Sequence, residues 1–304
     1  MDNTINVTRI HIKPSGDDRN GLLQYCLDNA QKQFVVIGWS RIREACKDKI
    51  RNFDDLWNCV KETTRRINPA LNVFWSAKKD DLFWTRDSRT GEYWICRALD
   101  VANVDYYNTT WDLGAQIPVE AYCVGFSIAG QLLRSFNKAR GGIVQTNFSN
   151  DIVNYSKYIF NKCSGKQYYN LEPIQGDIID NLPPEEMEEL VITYLQVKKN
   201  YYVSSNSIAQ KSTTPNIECI LFSRDKANPL KAVVQVKSGH FSLDGENYKE
   251  YVEAGYKVYL YAEYCYNTNL ANIIQITRQE LTEFYNEYKT ILPNSIVSWE
   301  KLID

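Results

Sequence analysis

The chain has 304 residues, 44% of them hydrophobic and 13% aromatic, with 21 Tyr and 7 Trp, enough to fill two cores of about 150 residues each. Its formal net charge of −2 excludes a globally basic nucleic-acid binder, although an enzyme acting on DNA can keep its positive charge local. The first 150 residues carry 20 Lys+Arg against 17 Asp+Glu, the remainder 15 against 20; the basic half suits substrate reading and the acidic half suits holding a divalent cation.

The eight cysteines are irregularly spaced, with neither CxxC nor Cys/His ligand spacing, so they read as small buried hydrophobes in a reducing compartment. The segment MDNTINVTRIHIKP lacks the apolar stretch of a signal peptide, and no run approaches 18 apolar residues. A cytoplasmic protein with no membrane partner is expected.

In chain order, Phe34–Ser40 reads as a buried strand and residues 53–66 as a helix. In that helix Phe53, Leu56, Trp57 and Val60 share a face, Asp54 and Asp55 occupy the first turn, and Arg65 and Arg66 the last. Strands are expected at Val73–Ser76, Asp81–Thr85 and Glu92–Arg97, the last two joined by a turn over Arg86–Gly91. A further strand near Ala121–Gly125 leads into a helix at Ser127–Phe136. Gly141-Gly142 and the polar stretch 147–181 are linker candidates, placing the join near 165–180 and the domains at 1–165 and 166–304. The second half then reads as a helix after Pro184, Tyr201–Val203, strand Ile217–Phe222, strand Lys231–Lys237, a helix around 246–254, strands Tyr256–Tyr264 and Ile273–Ile276, and helix Arg278–Lys289. The expected fold class is α/β throughout: a mixed, β-barrel-like N-terminal module and a C-terminal mixed-sheet αβ domain.

Along 231–237 alternate side chains face opposite ways, so Gln235 and Lys237 share one face and Val234 and Val236 the other. Glu218 is a lone carboxylate in the preceding apolar strand. The 223–229 turn brings it towards that polar pair, where a carboxylate, an amide oxygen and a backbone carbonyl could hold Mg²⁺ beside an ammonium. The bland alternative is a strand-end lysine snorkelling to water and an edge-strand charge.

Glu218, a 17-residue step and Gln235-Val-Lys237 resemble the restriction-endonuclease-like nucleases with the PD-(D/E)xK signature, closest to the Mrr-like branch in which Gln replaces the second acid. The resemblance covers roughly residues 180–290. It implies Mg²⁺-dependent hydrolysis of DNA phosphodiesters, with Mn²⁺ able to substitute. Glu218 and Gln235 would be the metal ligands, Lys237 the catalytic lysine, and Glu189 or a neighbour an auxiliary acid. Two positions depart from the pattern: Glu218 replaces the usual Asp, and Pro215-Asn216 stands where Pro-Asp is expected. His240, three residues past Lys237, could assist at the site.

Six of the seven Trp lie in the first half. The Trp75, Trp84 and Trp94 segment is similar to the PUA-like group that includes EVE and YTH modules, which hold a flipped base in an aromatic cage. Trp39 and Ser40 end the first strand, where side chains can open onto a cavity, and the expected base contacts are Trp39, Ser40, Trp75, Trp84 and Trp111. Arg41, Arg43, Arg86 and Arg89 flank these elements as candidate phosphate contacts, Arg41 and Arg86 foremost, against the bland reading of solvated surface arginines. With no phosphate-binding loop, GxGxxG, HExxH or GxSxG and only two His, other hydrolase templates fail. The combined expectation is a DNA endonuclease (a hydrolase) selective for modified or foreign DNA, serving restriction or antiviral defence, and working as a homodimer because double-strand cleavage needs two sites. The alternatives are a non-catalytic nucleic-acid binder with a decayed nuclease domain, and an interaction subunit of a larger nuclease complex.

Overall fold

The computed structural model describes residues 5–12, 21–28, 32–64, 69–138, 144–209 and 217–303. Arg65, Arg66, Gly141-Gly142 and Pro215-Asn216 lie outside the described residues. The chain divides into two compact units, Met1–Glu172 and Pro173–Asp304. Among the described residues no helix is long and apolar enough to cross a membrane, and all eight cysteines are free thiols.

The first unit contains β1 (Val7–Ile10), α1 (Leu22–Leu27), β2 (Gln33–Ile37), α2 (Ser40–Ala45), α3 (Phe53–Thr63), α4 (Pro69–Ser76), β3 (Leu82–Arg86), β4 (Tyr93–Ala98), β5 (Ala115–Gly125), α5 (Gly130–Asn137), β6 (Val144–Gln145) and α6 (Asn150–Ser164). Its six strands form one curled half-barrel in the order β2-β5-β4-β3-β1-β6. Its pairings are antiparallel except β1 with β3. One core cluster gathers Leu27, Val35, Leu56, Phe74, Phe83 and Ile117.

Three expectations here are corrected. Val73–Ser76 is the end of helix α4, not a strand: Ala70, Leu71 and Phe74 are its buried positions, a helical spacing that a four-residue apolar run alone does not reveal. The first strand stops at Ile37, because Trp39 takes a left-handed φ of 70° and Ser40 opens α2. The polar stretch 147–181 is not a linker throughout. It contains the 15-residue α6, capped by Ser149, which buries Ile152, Tyr155, Ile159 and Phe160.

The second unit contains α7 (Ile178–Asn181), α8 (Pro184–Val197), β7 (Tyr201–Val203), α9 (Ser205–Ala209), β8 (Cys219–Ser223), β9 (Lys231–Val236), β10 (Ser242–Asp244), a 3-10 turn (Gly245–Tyr248), α10 (Lys249–Glu253), β11 (Tyr256–Tyr261), β12 (Tyr264–Tyr266), β13 (Ile273–Gln275), α11 (Arg278–Tyr288), α12 (Asn294–Val297) and a final 3-10 turn (Ser298–Lys301). The sheet order is β13-β11-β9-β8-β7. β7, β8 and β9 form an antiparallel meander, whereas β9, β11 and β13 run parallel. Parallel neighbours need a crossover, and α10 lies between β9 and β11. The expected strand Tyr256–Tyr264 is split: β11 ends at Tyr261, and β12 pairs with β10 in a separate two-stranded sheet.

Register decides the two faces of the five-stranded sheet. Val233 pairs with Val258 and Gln235 with Leu260; Val233, Val258 and Leu260 pack with Ile217, Tyr248 and Ile273. Val234 pairs with Tyr259, whose hydroxyl meets that of Tyr201 at 3.5 Å and whose titration feels Tyr194 of α8. Helix α8 therefore covers the face opposite Gln235.

Candidate functional site

Glu218 stands immediately before β8. Cys219 pairs with Val234 and Ile220 with Val233, and the Glu218 amide donates to the Val234 carbonyl at 2.7 Å. Continuing this register sets Glu218 opposite Gln235 and on the same face. The side chains meet there: Gln235 Nε2 donates to Glu218 Oε1 at 3.1 Å and to the Val236 carbonyl at 3.3 Å. Glu218 is 6% exposed and Gln235 4%. Buried polar groups carry a cost unless bonded, and each partner lowers that cost for the other. β7 pairs with Leu221–Ser223, so β8 is not an edge strand there; Glu218 stands before β8, beyond the reach of that pairing. The phenol of Tyr248 is pushed up to about 12, first by burial, then by Cys265 and the charge of Glu218.

Lys237 follows β9 and is exposed; its backbone N–H donates to the Tyr261 carbonyl at 2.8 Å, keeping it in the plane of the sheet. No ion pair forms at its ammonium among the described residues. It lines a cleft of about 680 Å³ formed at the carboxyl ends of β9, β11 and β13, with His240, Tyr261, Glu263, Thr277 and Arg278. In open α/β sheets this end of parallel strands is where ligands bind. His240 Nδ1 sits 2.7 Å from Glu263 Oε2. Arg278 holds Asp180 through two bonds of 2.7 and 2.8 Å, and this contact lowers the Asp180 carboxyl below its usual range.

Glu189 is corrected as an auxiliary ligand. It belongs to α8, on the far face of the sheet from Glu218, and although its side chain reaches the surface, burial of the carboxyl raises it above the usual range. The buried acid of that helix is Glu186.

The expected base-reading residues do not gather into one cage. Trp84 is fully enclosed, its indole N–H on Ser156 Oγ at 2.9 Å; it serves the core and offers no face to a base. Trp75 is 61% exposed on α4, tilted against Trp57 and bonded to Asp54 at 3.1 Å. Trp39 and Trp111 do belong to neighbouring loops, because Ser40 donates from N and Oγ to Asp112 Oδ1 at 3.1 and 2.9 Å. A Cβ on Gly114 would fall 2.1 Å from the Gly38 carbonyl, so this close approach requires glycine. Trp111 packs edge-on against Tyr25 at 4.4 Å. Arg43 is tied to the carbonyls of Val104, Tyr106 and Gly114. Arg41 is exposed, and Arg86 spans the Gly91 carbonyl and the Tyr93 ring.

Sequence reasoning missed Glu263 as the partner of His240 and Asp180 as the partner of Arg278. No spacing rule links either pair: the pairing of β9 with β11 sets Glu263 beside His240, and the packing of α7 on α11 sets Asp180 beside Arg278.

No protein family, no curated protein and no solved structure matches the chain.

Proposed function

We propose that the second unit is a Mg²⁺-dependent endodeoxyribonuclease and that Glu218, Gln235 and Lys237 form its centre. The observation that carries this reading is the Glu218–Gln235 contact across adjacent strands. Lys237, which alternation would set on the same face, follows the end of β9 and lines the cleft, whose walls include neither Glu218 nor Gln235. The order of elements is in keeping with it: the resemblance covers a leading helix and a strand-turn-strand, and α8, β8 and β9 follow one another in that order.

Among the described residues no group of three or more His, Cys, Asp or Glu gathers around an ion site; Glu218 and Gln235 offer instead one carboxylate and one amide. Half a turn of the Gln235 amide aims its oxygen at the carboxylate, and the Val236 carbonyl adjoins it. This set of hard oxygens fits Mg²⁺, which retains waters and takes further ligands from phosphate. When bound, the ion supplies charge neutralisation at the phosphate and a more acidic water. Glu218 contributes the negative charge that retains it. Lys237, exposed in the cleft, contributes a cation that holds a phosphate oxygen and offsets charge gained there during hydrolysis.

DNA is the proposed substrate, and two chains would be needed for a double-strand break. Selectivity for modified or foreign DNA would rest with the first unit, through the loops carrying Trp39, Ser40 and Trp111. A second reading, a binding module without turnover, is favoured by the Gln235–Glu218 hydrogen bond, which satisfies both groups without an ion. Supercoiled plasmids, unmodified or carrying modified cytosine or adenine, separate the two when incubated with Mg²⁺, Mn²⁺ or EDTA. Metal-dependent nicking that Glu218→Ala removes supports the enzyme; DNA retention without nicking in any metal supports the module.

A further inference from the structure

The loop after β9 carries a second chemical group into the cleft. Gly239 takes a left-handed φ of +75°, a conformation in which a side chain is strained, and the loop returns His240 to Glu263. The His240 side chain is 97% exposed at the rim of the cleft, so the ring nitrogen that does not face Glu263 is open to solvent there. We propose that His240, oriented by Glu263, is the proton acceptor for the water that attacks a phosphodiester in this cleft. The proposal rests on the nuclease reading above.

A neutral imidazole that donates Nδ1–H to a carboxylate is fixed in one tautomer, with its lone pair on Nε2. A carboxylate that orients an imidazole in this way is the arrangement by which enzymes prepare a histidine to remove a proton. The other groups at the site are less suited to that task. The Gln235 amide is not basic and a lysine ammonium has no acceptor; Glu218 already accepts from Gln235; Asp180 is committed to Arg278. The charged and titratable groups around the His240–Glu263 pair are Lys237, Tyr261, Arg278 and Asp180 in the cleft, and Tyr264, whose phenol the neighbouring Glu263 raises. In the proposed step water loses one proton to Nε2, its oxygen forms a bond to phosphorus, and the ester P–O bond opposite breaks. The departing oxygen takes a proton from solvent, and the imidazolium releases its own to solvent. Nothing is oxidised or reduced.

The test is plasmid cleavage at saturating Mg²⁺ across the range in which histidine titrates, about pH 5 to 8. It compares the wild type with His240→Ala, His240→Gln, Glu263→Gln and Lys237→Ala, with DNA binding followed in parallel by anisotropy. His240→Ala and His240→Gln should each lower kcat by about 10²- to 10⁴-fold with DNA binding unchanged. Both should lose the acid limb of the pH profile, and added imidazole should restore part of the rate to His240→Ala. Glu263→Gln should retain more activity and move that limb. Wild-type rates and an unchanged pH profile in both His240 variants, while Lys237→Ala is inactive, would overturn the proton-acceptor role and leave the nuclease reading standing. A wild type that cleaves nothing in any divalent metal removes both.

Discussion

The amide of Gln235 donates to the carboxylate of Glu218 at 3.1 Å, across strands whose register makes the two residues direct neighbours. Removing the amide leaves a buried carboxylate short of a donor, so Gln235→Ala should destabilise the chain by about 1–3 kcal/mol. Gln235→Glu should do so too near neutral pH, by setting two carboxylates against each other. Only in the second variant should millimolar Mg²⁺ restore thermal stability, by binding between the paired acids. Thermal unfolding with and without Mg²⁺ checks both; a Gln235→Glu protein indifferent to the ion would show that the pair cannot hold one.

The two indoles Trp84 and Trp75 should separate by energy. Trp84→Ala empties an enclosed site and removes the bond to Ser156, so a loss of about 3–5 kcal/mol is expected. Trp75→Ala, on an exposed indole resting on Trp57, should cost less than about 1 kcal/mol. Urea denaturation measures both, and equal losses would contradict the assignment of Trp84 to the core.

Asp180 gives a pH dependence of definite sign. Its pKa is lowered by the bonds from Arg278, against a smaller opposing effect of burial. The stabilisation is therefore present above the ordinary aspartate range, about pH 4, and is lost as pH falls through the lowered pKa. Both side chains are about half exposed, which limits the contribution to about 0.5–1 kcal/mol. Asp180→Asn should be less stable than wild type at pH 7 and converge with it in acid. A gap that widens in acid would reverse the sign.

Arg97 ties two acids in the first unit, with bonds of 2.7 Å to both Asp80 and Glu120, while the Tyr168 ring lies 3.8 Å from its guanidinium. Because Arg97 is nearly buried, Arg97→Ala leaves acids whose cation is gone and should cost about 3 kcal/mol. Chemical denaturation at neutral pH measures this; a cost below about 1 kcal/mol would mean that water compensates the acids.

Much of this architecture is legible in the residues. Alternation along 231–237 and the lone acid at 218 locate β9, the strand before it and the shared face, because period-two patterning survives in a sheet with one distinctive polar pair. The apolar stripe from Phe53 to Val60 and the acids Asp54 and Asp55 in the first turn likewise mark α3. What stays hidden depends on contacts distant in sequence. Val73-Phe-Trp-Ser suits strand or helix equally, and burial of Ala70 and Leu71 against the core decides for helix. α6 hides among Asn, Ser and Tyr because its apolar positions are sparse. The cleft is the clearest case: its walls come from α7, α8, β9, β11, β13 and α11, and only the parallel sheet order sets His240 beside Glu263.

Lys237→Ala tests the central claim most directly. The side chain is exposed and unpaired among the described residues, so its removal should leave thermal stability nearly intact and weaken DNA binding only by the loss of one phosphate contact. Single-turnover nicking of plasmid DNA in Mg²⁺ should fall by about 10²-fold or more, the scale expected when a group that stabilises transition-state charge is removed. Nicking by Lys237→Ala at the wild-type rate, or nicking by the wild type that persists in EDTA, would contradict the account.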